Sequence, residues 1–227
     1  MRVAMNGISP MLRQGGHLAG LAACIAFLLL LSATTAPAQM QRKFASAESQ
    51  QAEQFIADLG ATAITVLRQP NLTLNQREAQ FHRLLQSKFD LDFIGRFVLG
   101  KYWRQATPEQ QEEYRELFGQ FVLKTYAARL GGYAGQQFHV ANVYSGGKQD
   151  MLVRSVITGG SGQPLTADWR VRNIDGTLKI IDVSVEGISM SITQRQEFAS
   201  VIARQGIAGL LRQLRARVER LPAERIG

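Results

Sequence analysis

Between residues 46 and 130 the hydrophobic positions recur at helical spacing. The first stripe follows i, i+3, i+4 and i+7, ends before Pro70, and predicts an amphipathic helix. Its members are Ala52, Phe55, Ile56, Leu59, Ala63, Val66 and Leu67. A second helix is predicted from the capping box Thr73-Leu-Asn-Gln76, because the threonine hydroxyl accepts from a free N–H and the glutamine reaches back. Its stripe is Phe81, Leu84, Leu85 and Phe89.

Two further helices are predicted before residue 130. A short one covers Leu91–Leu99 and ends at Gly100. The next has the clearest start signal, since Thr107 caps it, Pro108 takes the first helical position and Gln110 completes a box. Its apolar stripe is Tyr114, Leu117, Phe118, Phe121, Val122 and Tyr126.

Residues 136 to 190 instead alternate with a period of two, which predicts strands. Turn signals stand at Gly146-Gly147, at 159–162 and at Asp175-Gly176, the last a strong hairpin signal. These short connections favour antiparallel pairing. One face of the third strand is apolar and is predicted to be buried; it carries Leu165, Ala167, Trp169 and Val171.

The last predicted strand and the last helix meet near Gly187. Ile181, Val183 and Val185 share one face, but the apolar positions then become Ile188 and Met190. This change of parity predicts a β-bulge at Gly187, and bulges bend sheets. Helix resumes at the box Thr193-Gln-Arg-Gln196 and is interrupted at Gly206. The pattern as a whole predicts an α+β fold with helices packed on a curved antiparallel sheet.

The first 38 residues predict a secretory signal peptide. Arg2 and Arg13 precede the apolar run Leu18–Leu31, and a small-residue site ends at Ala38, where we expect cleavage. A retained anchor is disfavoured because 14 apolar residues fall short of the roughly 20 that span a bilayer. A lipobox around Cys24 is disfavoured because most of the apolar run follows it. Residues 39–227 then form a single exported domain, with a core at about 50–215.

Composition and charge exclude several function classes. Hydrophobic residues make up 45% and charged residues 19%, which is typical of a globular chain. Net charge is +8, but export disfavours nucleic acid as a partner. A single cysteine excludes a disulfide framework or a cysteine zinc site, and His82 and His139 lie in different predicted elements. We therefore expect no metal and no cofactor.

No catalytic constellation stands out. The segment Gly187-Ile-Ser-Met-Ser191 approaches a nucleophile elbow but lacks its final glycine. Asp90 and Asp92 are close in sequence and are interpreted as helix caps. Twelve of the 18 aromatic residues lie between Phe81 and Phe138, and they could fill a core or wall a cavity. An enzyme is not favoured.

Three blocks of sequence, in order, carry a family resemblance. The first is Phe89-Asp-Leu-Asp-Phe-Ile-Gly-Arg-Phe-Val-Leu-Gly-Lys-Tyr-Trp-Arg104 with Ala-Thr-Pro-Glu-Gln at 106–110. The second comprises Asp-Gly at 175–176, Lys-Ile-Ile-Asp-Val at 179–183 and Val-Glu-Gly-Ile-Ser at 185–189, and the third Arg195, Phe198 and Gly206. Together they strongly resemble the MlaC family, also known as the toluene-tolerance family, over about residues 50–215. Leu178 departs from it, since relatives usually carry tryptophan there.

The resemblance implies a periplasmic phospholipid-binding protein with a deep apolar pocket for the acyl chains. Such proteins shuttle lipid between an outer-membrane lipoprotein complex and an inner-membrane ABC transporter with its MCE-domain ring, in a system for outer-membrane lipid asymmetry. We expect a monomer that is not an enzyme. Two alternatives stay open: a carrier for another apolar lipid such as a hopanoid, and a periplasmic adaptor without a ligand.

Periodicity, with the resemblance as the reason to look for a cavity, gives sixteen candidate lipid-binding residues. The signature helix region contributes Phe93, Phe97, Val98, Tyr102 and Trp103. The following helix contributes Phe118, Phe121, Val122 and Tyr126. The sheet contributes Val153, Trp169, Val171, Val183, Val185, Ile188 and Met190.

Overall fold

The computed structural model describes residues 36–69, 72–127, 135–159 and 163–220. The helices are α1 (Ala36–Arg68), α2 (Leu74–Lys88), α3 (Leu91–Leu99), α4 (Pro108–Ala127) and α5 (Met190–Arg220), with a 3-10 helix at Gly100–Gln105. The strands are β1 (Gln137–Ser145), β2 (Asp150–Thr158), β3 (Leu165–Ile174), β4 (Thr177–Val185) and β5 (Ile188–Ser189). Apart from the start of α1, all of these lie in the compact unit Ala45–Gly227. No helix in the described ranges combines the length and apolarity that a bilayer crossing requires.

The five strands form one antiparallel sheet whose order follows the chain, β1-β2-β3-β4-β5. The sheet is open, with β1 and β5 at its two ends. At the side of β4, the backbone N–H of Asp90 donates to the carbonyl of Ile180 (3.0 Å), beside a parallel bridge between Phe89 and Ile180. This bridge joins the α2–α3 connection to the sheet. The predicted α+β fold with an antiparallel sheet is confirmed.

Local capping signals place three of the helices where the sequence predicts them. Thr73 Oγ1 accepts from the Gln76 N–H (3.3 Å), and Gln76 Oε1 accepts from the Thr73 N–H (2.9 Å). Thr107 and Gln110 form the same reciprocal pair at 3.3 and 3.1 Å. Asp90 caps α3 by accepting from the N–H of Phe93 (2.9 Å), as its interpretation as a cap requires.

The start of α5 differs from its prediction. Ser189 Oγ accepts from the Ile192 N–H (3.1 Å), and Thr193 Oγ1 donates to the Ser189 carbonyl (2.8 Å). Ser189 therefore caps the helix, and the predicted capping box at Thr193 is wrong because Thr193 already lies in the first turn. The predicted interruption at Gly206 is confirmed by a non-helical backbone (φ 67°, ψ 177°).

The sheet also corrects the predicted bulge. Asp175 and Gly176 both have positive φ (50° and 84°), as a two-residue hairpin turn requires. Glu186 and Gly187 form a second turn with φ of 49° and 77°, so Gly187 reverses the chain and does not bulge. The extra residue is Ile181, because Val171 pairs with Ile180 while Arg170 pairs with Asp182. The turn at 146–147 is confirmed, and Gly160–Gly162 lie outside the described residues.

Buried side chains form two clusters. We call the first the helical core: Ile94, Val98, Leu99, Tyr114, Leu117, Phe118, Phe121, Phe198, Ile202, Leu210, Leu211, Leu214 and Val218. We call the second the sheet core: Ala52, Ile56, Leu59, Leu84, Val153, Val171 and Ile180. Tyr114 is 1% exposed and donates to the carbonyl of Gly95 (3.0 Å), and burial raises the pKa of its phenol. The helical core thus has one polar group, and that group is satisfied.

Ion pairs join neighbouring strands on the face of the sheet that points away from the sheet core. Asp150 is 8% exposed and accepts from Arg172 Nε (2.7 Å) and Arg170 Nη1 (3.2 Å). Burial alone would raise the pKa of Asp150, but its bonds to Arg172 and Arg170 outweigh that effect, and the pKa lies below its ordinary value. Arg154 and Asp168 form a second, bidentate ion pair, in which Nε and Nη2 of the arginine donate to the two carboxylate oxygens at 2.7 and 2.8 Å.

Because the pKa of Asp150 is lower in the folded chain, its carboxylate stabilises the fold above the unfolded pKa of about 3.9. We expect Asp150→Asn to lower the free energy of unfolding at pH 6. The difference in unfolding free energy between the wild-type protein and Asp150→Asn should shrink as the pH falls from about 4 through the native pKa of Asp150. Urea unfolding of both proteins at several pH values measures this. A gap that stays constant between about pH 6 and 3 would contradict it.

Candidate functional site

A cavity of about 550 Å³ lies between the helices and the inner face of the sheet. From α1 its wall includes Leu59, Gly60, Ala63, Ile64 and Leu67. From the region of α2 and α3 it includes Phe81, Leu84, Leu85, Phe89, Leu91, Ile94 and Val98. From α4 and α5 it includes Phe118, Phe121, Val122, Thr125, Met190, Ser191 and Gln194. From the sheet side it includes Gln136, Gln137, Phe138, Ile157, Leu165, Ala167, Trp169, Asp182, Val183 and Val185.

The wall of this cavity is overwhelmingly apolar. Its polar side chains are Thr125, Gln136, Gln137, Asp182, Ser191 and Gln194, and among the described lining residues only Asp182 is ionisable. Volumes of 300–1,000 Å³ with mostly apolar walls are typical of sites for small ligands. The cavity therefore suits an apolar ligand, which gains free energy by leaving water.

Asp182 is engaged with its neighbours. Its carboxylate accepts from Ser189 Oγ (2.6 Å), from the Ser191 N–H (3.1 Å) and from the Val183 N–H (2.9 Å). Ser191 is the second residue of α5, so the carboxylate also lies at the positive end of that helix. Asp182 holds the start of α5 against β4, which makes it part of the wall's framework.

Gly60 and Phe138 join α1 to β1 at the cavity wall. A Cβ added at Gly60 would lie less than 3.0 Å from three ring carbons of Phe138, so only glycine permits this approach. Behind it, the ring of Phe138 meets Trp169 edge-on at 6.2 Å between centroids. Trp169 is fixed in turn, because its Nε1–H donates to Ser155 Oγ (2.9 Å). Trp169 therefore packs behind Phe138 on the sheet side of the Gly60–Phe138 contact.

We expect Gly60→Ala to destabilise the fold by about 1 kcal/mol. The added methyl group favours helix by about 1 kcal/mol, but overpacking against three ring carbons of Phe138 costs about 1–3 kcal/mol. The control is Gly119→Ala in α4, where an added Cβ meets no atom within 4 Å and should stabilise the helix. Urea unfolding of both variants measures the two changes in unfolding free energy. Changes of equal sign would contradict this account of the Gly60–Phe138 contact.

The structure brings eight of the sixteen predicted residues to the cavity wall. They are Val98, Phe118, Phe121, Val122, Trp169, Val183, Val185 and Met190. Their contact with a ligand stays a prediction, but one continuous apolar surface now joins them.

The other eight predicted residues have different surroundings. Phe93, Tyr102 and Trp103 pack against the helical core, and Val153 and Val171 belong to the sheet core. Phe97 and Ile188 are 36% and 60% exposed. Tyr126 lies in α4, but its side chain is outside the described part of the chain. Contact of these eight residues with a ligand also stays a prediction.

The α1 side of the cavity wall was not among the predicted site residues. The sequence predicts Leu59, Ala63 and Leu67 as part of the apolar stripe of a helix and does not indicate that they line a cavity. One signal was present: Gly60 stands inside a long helical pattern, where glycine costs about 1 kcal/mol against alanine and usually has a packing reason. Phe138 and Leu165 gave no such signal.

A helical layer over an open antiparallel sheet, with an apolar cavity between them, defines an α+β protein with a site for an apolar ligand. The family model described as "MlaC protein" matches residues 57–216. The chain therefore belongs to the MlaC family, and the predicted resemblance is confirmed.

Known proteins that are similar to the chain include two curated proteins and one solved structure. It is 25% identical over 171 residues to the intermembrane phospholipid transport system binding protein MlaC of Haemophilus influenzae, covering 73% of this chain and 77% of that protein. It is 29% identical over 126 residues to the toluene tolerance protein ttg2D of Pseudomonas putida, covering 55% of this chain and 59% of that protein. The solved structure is that of a phospholipid-binding protein from Ralstonia solanacearum in complex with a phospholipid. Its TM-score is 0.65 at 25% identity, and the match covers 74% of this chain and 97% of that one.

Ionisable side chains are scarce at the described part of the cavity wall. In the ranges that the structure covers, no group of three His, Cys, Asp or Glu side chains is placed to hold a metal ion. Asp182, the ionisable group on the described wall, already accepts three hydrogen bonds. What the site offers is apolar surface of defined shape.

Proposed function

We propose that this protein binds a phospholipid with its acyl chains in the cavity and its headgroup towards solvent. The observation that carries the proposal is the cavity itself: about 550 Å³, walled by apolar side chains from both layers of an MlaC-family fold. The phospholipid in the Ralstonia solanacearum structure supports the choice of ligand.

The free energy of such binding comes from the chains. Burial is worth about 0.8 kcal/mol per methylene, so ten buried methylenes supply about 8 kcal/mol before ordering costs. A net free energy of about 8 kcal/mol corresponds to a micromolar dissociation constant, so further buried methylenes must offset the ordering costs to reach that affinity. A headgroup that stays in water adds little to this sum, so the cavity needs no cation to hold its ligand.

The role that fits this binding is transport between two membranes through the periplasm. The N-terminal signal pattern supports export, and the name of the Haemophilus influenzae relative supports an intermembrane system. In this role the protein takes lipid from one membrane complex and gives it to the other, with an outer-membrane lipoprotein complex and an inner-membrane MCE-domain ring with its ABC transporter as partners. It shields the chains from water and leaves the lipid chemically unchanged.

The test is to export the full chain to the periplasm, purify it without detergent, and identify bound lipid by native mass spectrometry and extraction. We expect a stoichiometric adduct that releases phospholipid. A hopanoid or another terpenoid in its place would refute the choice of ligand. A folded protein without ligand that also takes none from phospholipid vesicles would refute the carrier and leave an adaptor.

A further inference from the structure

The inner face of the sheet carries its side chains in rows, because residues that pair across neighbouring antiparallel strands point to the same face. Three successive rows contribute to the cavity wall. Their lining residues are, row by row, Phe138, Ile157 and Leu165, then Ala167 and Val185, then Trp169 and Val183. We number these rows first, second and third.

Exposure falls along these rows, so the cavity has an open end and a closed end on the sheet side. Leu165, in the first row, is 39% exposed. The fourth row contains Val171 and Ile180, which are 1% and 0% exposed, belong to the sheet core and do not line the cavity. The cavity therefore opens at the first row and closes at the third.

Helix α1 shows the same direction. Ala52 and Ile56 are 0% exposed and belong to the sheet core. Further along the helix, Ala63, Ile64 and Leu67 line the cavity and are only partly buried. Two layers of the fold thus agree on which end is closed. If the headgroup stays in water at the open end, the methyl ends of the acyl chains point to the closed end.

The indole of Trp169 lies at the closed end. Its Nε1–H donates to Ser155 Oγ (2.9 Å) and its ring meets Phe138 edge-on at 6.2 Å, so it extends from β3 across β2 towards β1. Ser155 and Val153 are both 0% exposed and neither is part of the wall. The indole therefore separates this part of the sheet from the cavity, and a smaller side chain would deepen the cavity.

We propose that Trp169 is the end wall for the methyl end of an acyl chain and so sets the longest chain that the cavity buries completely. This inference rests on the proposed function, and it makes Trp169 a specificity-determining residue for the ligand. A methylene that fits within the cavity gains there about what it loses on leaving a bilayer. A methylene beyond that length is left in water, which weakens binding about fourfold.

The probe is a series of phosphatidylglycerols with two equal monounsaturated chains of about 12 to 22 carbons, since burial scales with the number of methylenes. Equal amounts are mixed in one population of fluid vesicles and equilibrated with the protein. The bound lipids are then extracted and quantified by mass spectrometry. We expect binding to the wild-type protein to be independent of chain length up to a limit. Beyond it, binding should fall about fourfold for each methylene left in water.

Three variants test whether the third row sets this limit. Trp169→Leu should move the limit to longer chains by about two carbons or more, because the leucine side chain has about six fewer non-hydrogen atoms and such sites collapse only partly. Val183→Phe adds a ring to the closed end and should move the limit to shorter chains. The matched control is Leu165→Ala, on the same strand and face as Trp169 but at the open end. It should weaken binding of all lengths alike and leave the limit in place.

Each result decides the matter. A wild-type protein that binds phospholipid without a length limit overturns the inference and leaves the proposed function standing. A folded Trp169→Leu variant with the wild-type limit also overturns the inference, as does a limit that Leu165→Ala moves equally. If Trp169→Leu does not fold, an unchanged limit in Val183→Phe has the same consequence. A wild-type protein that takes up no phospholipid of any length overturns the proposed function as well.

Discussion

Replacing Ala63 by tryptophan should reduce phospholipid binding on the order of 100-fold. Ala63 lies on the α1 wall of the cavity, so the indole would occupy space that we assign to the acyl chain. Displacing about four methylenes loses about 3 kcal/mol of burial, which gives this factor. The measurement is the amount of phospholipid that the purified variant extracts from vesicles.

Ala61→Trp is the matched control. Ala61 lies two residues away on the same helix but is exposed, so the same side chain would point into solvent. We expect it to bind lipid within about twofold of the wild-type protein, since substitutions at such surface sites cost little. Equal losses in both variants, with both folded, would show that the α1 face of the cavity does not hold the chain.

Replacing Asp182 by alanine should lower the free energy of unfolding by about 3 kcal/mol. The change removes an acceptor of three hydrogen bonds and leaves the buried N–H of Ser191 unpaired. Bonds to charged groups contribute about 1.5–3 kcal/mol each, and losses in one network do not add. For a domain of this size, thermal unfolding should move down by about 6–12 °C.

The control for Asp182 is an alanine on the opposite face of the sheet. Asp168 also accepts two short bonds, from Arg154, but that arginine is well exposed. Exposed pairs contribute about 0–1 kcal/mol, so Asp168→Ala should have a small effect. If Asp182→Ala lowers the free energy of unfolding by no more than Asp168→Ala does, the account of the β4–α5 junction is contradicted.

The elements that the sequence predicts well are those that local chemistry decides. The boxes at Thr73 and Thr107 and the turn at Asp175 lie within a few residues of the bonds they make. The two errors involve distant partners. The helix start at Ser189 is supported by Asp182, seven residues away, and the bulge at Ile181 is set by pairing with β3. Ser189 is itself a favoured cap residue, but period and capping patterns carry no information on its partner Asp182 or on the pairing with β3.

The candidate site was harder to predict, because a core and a cavity wall have the same composition. Val171 and Val183 both lie on the apolar face of neighbouring strands. Val171 is buried in the sheet core, however, whereas Val183 lines the cavity. Which of the two valines lines the cavity depends on tertiary packing between α1 and the sheet. The contact of Gly60 with Phe138 is part of that packing, and no periodicity indicates it.

The most direct test of the central claim is to map where an acyl chain lies. The protein would be loaded with a diacyl phospholipid that carries a photoreactive diazirine within one chain, irradiated, and digested for mass spectrometry. We expect cross-links on cavity residues of more than one element, among them Ile64, Val122 and Ile157. Labelling confined to exposed apolar side chains such as Ile188 and Ile192 would contradict a lipid bound inside the cavity.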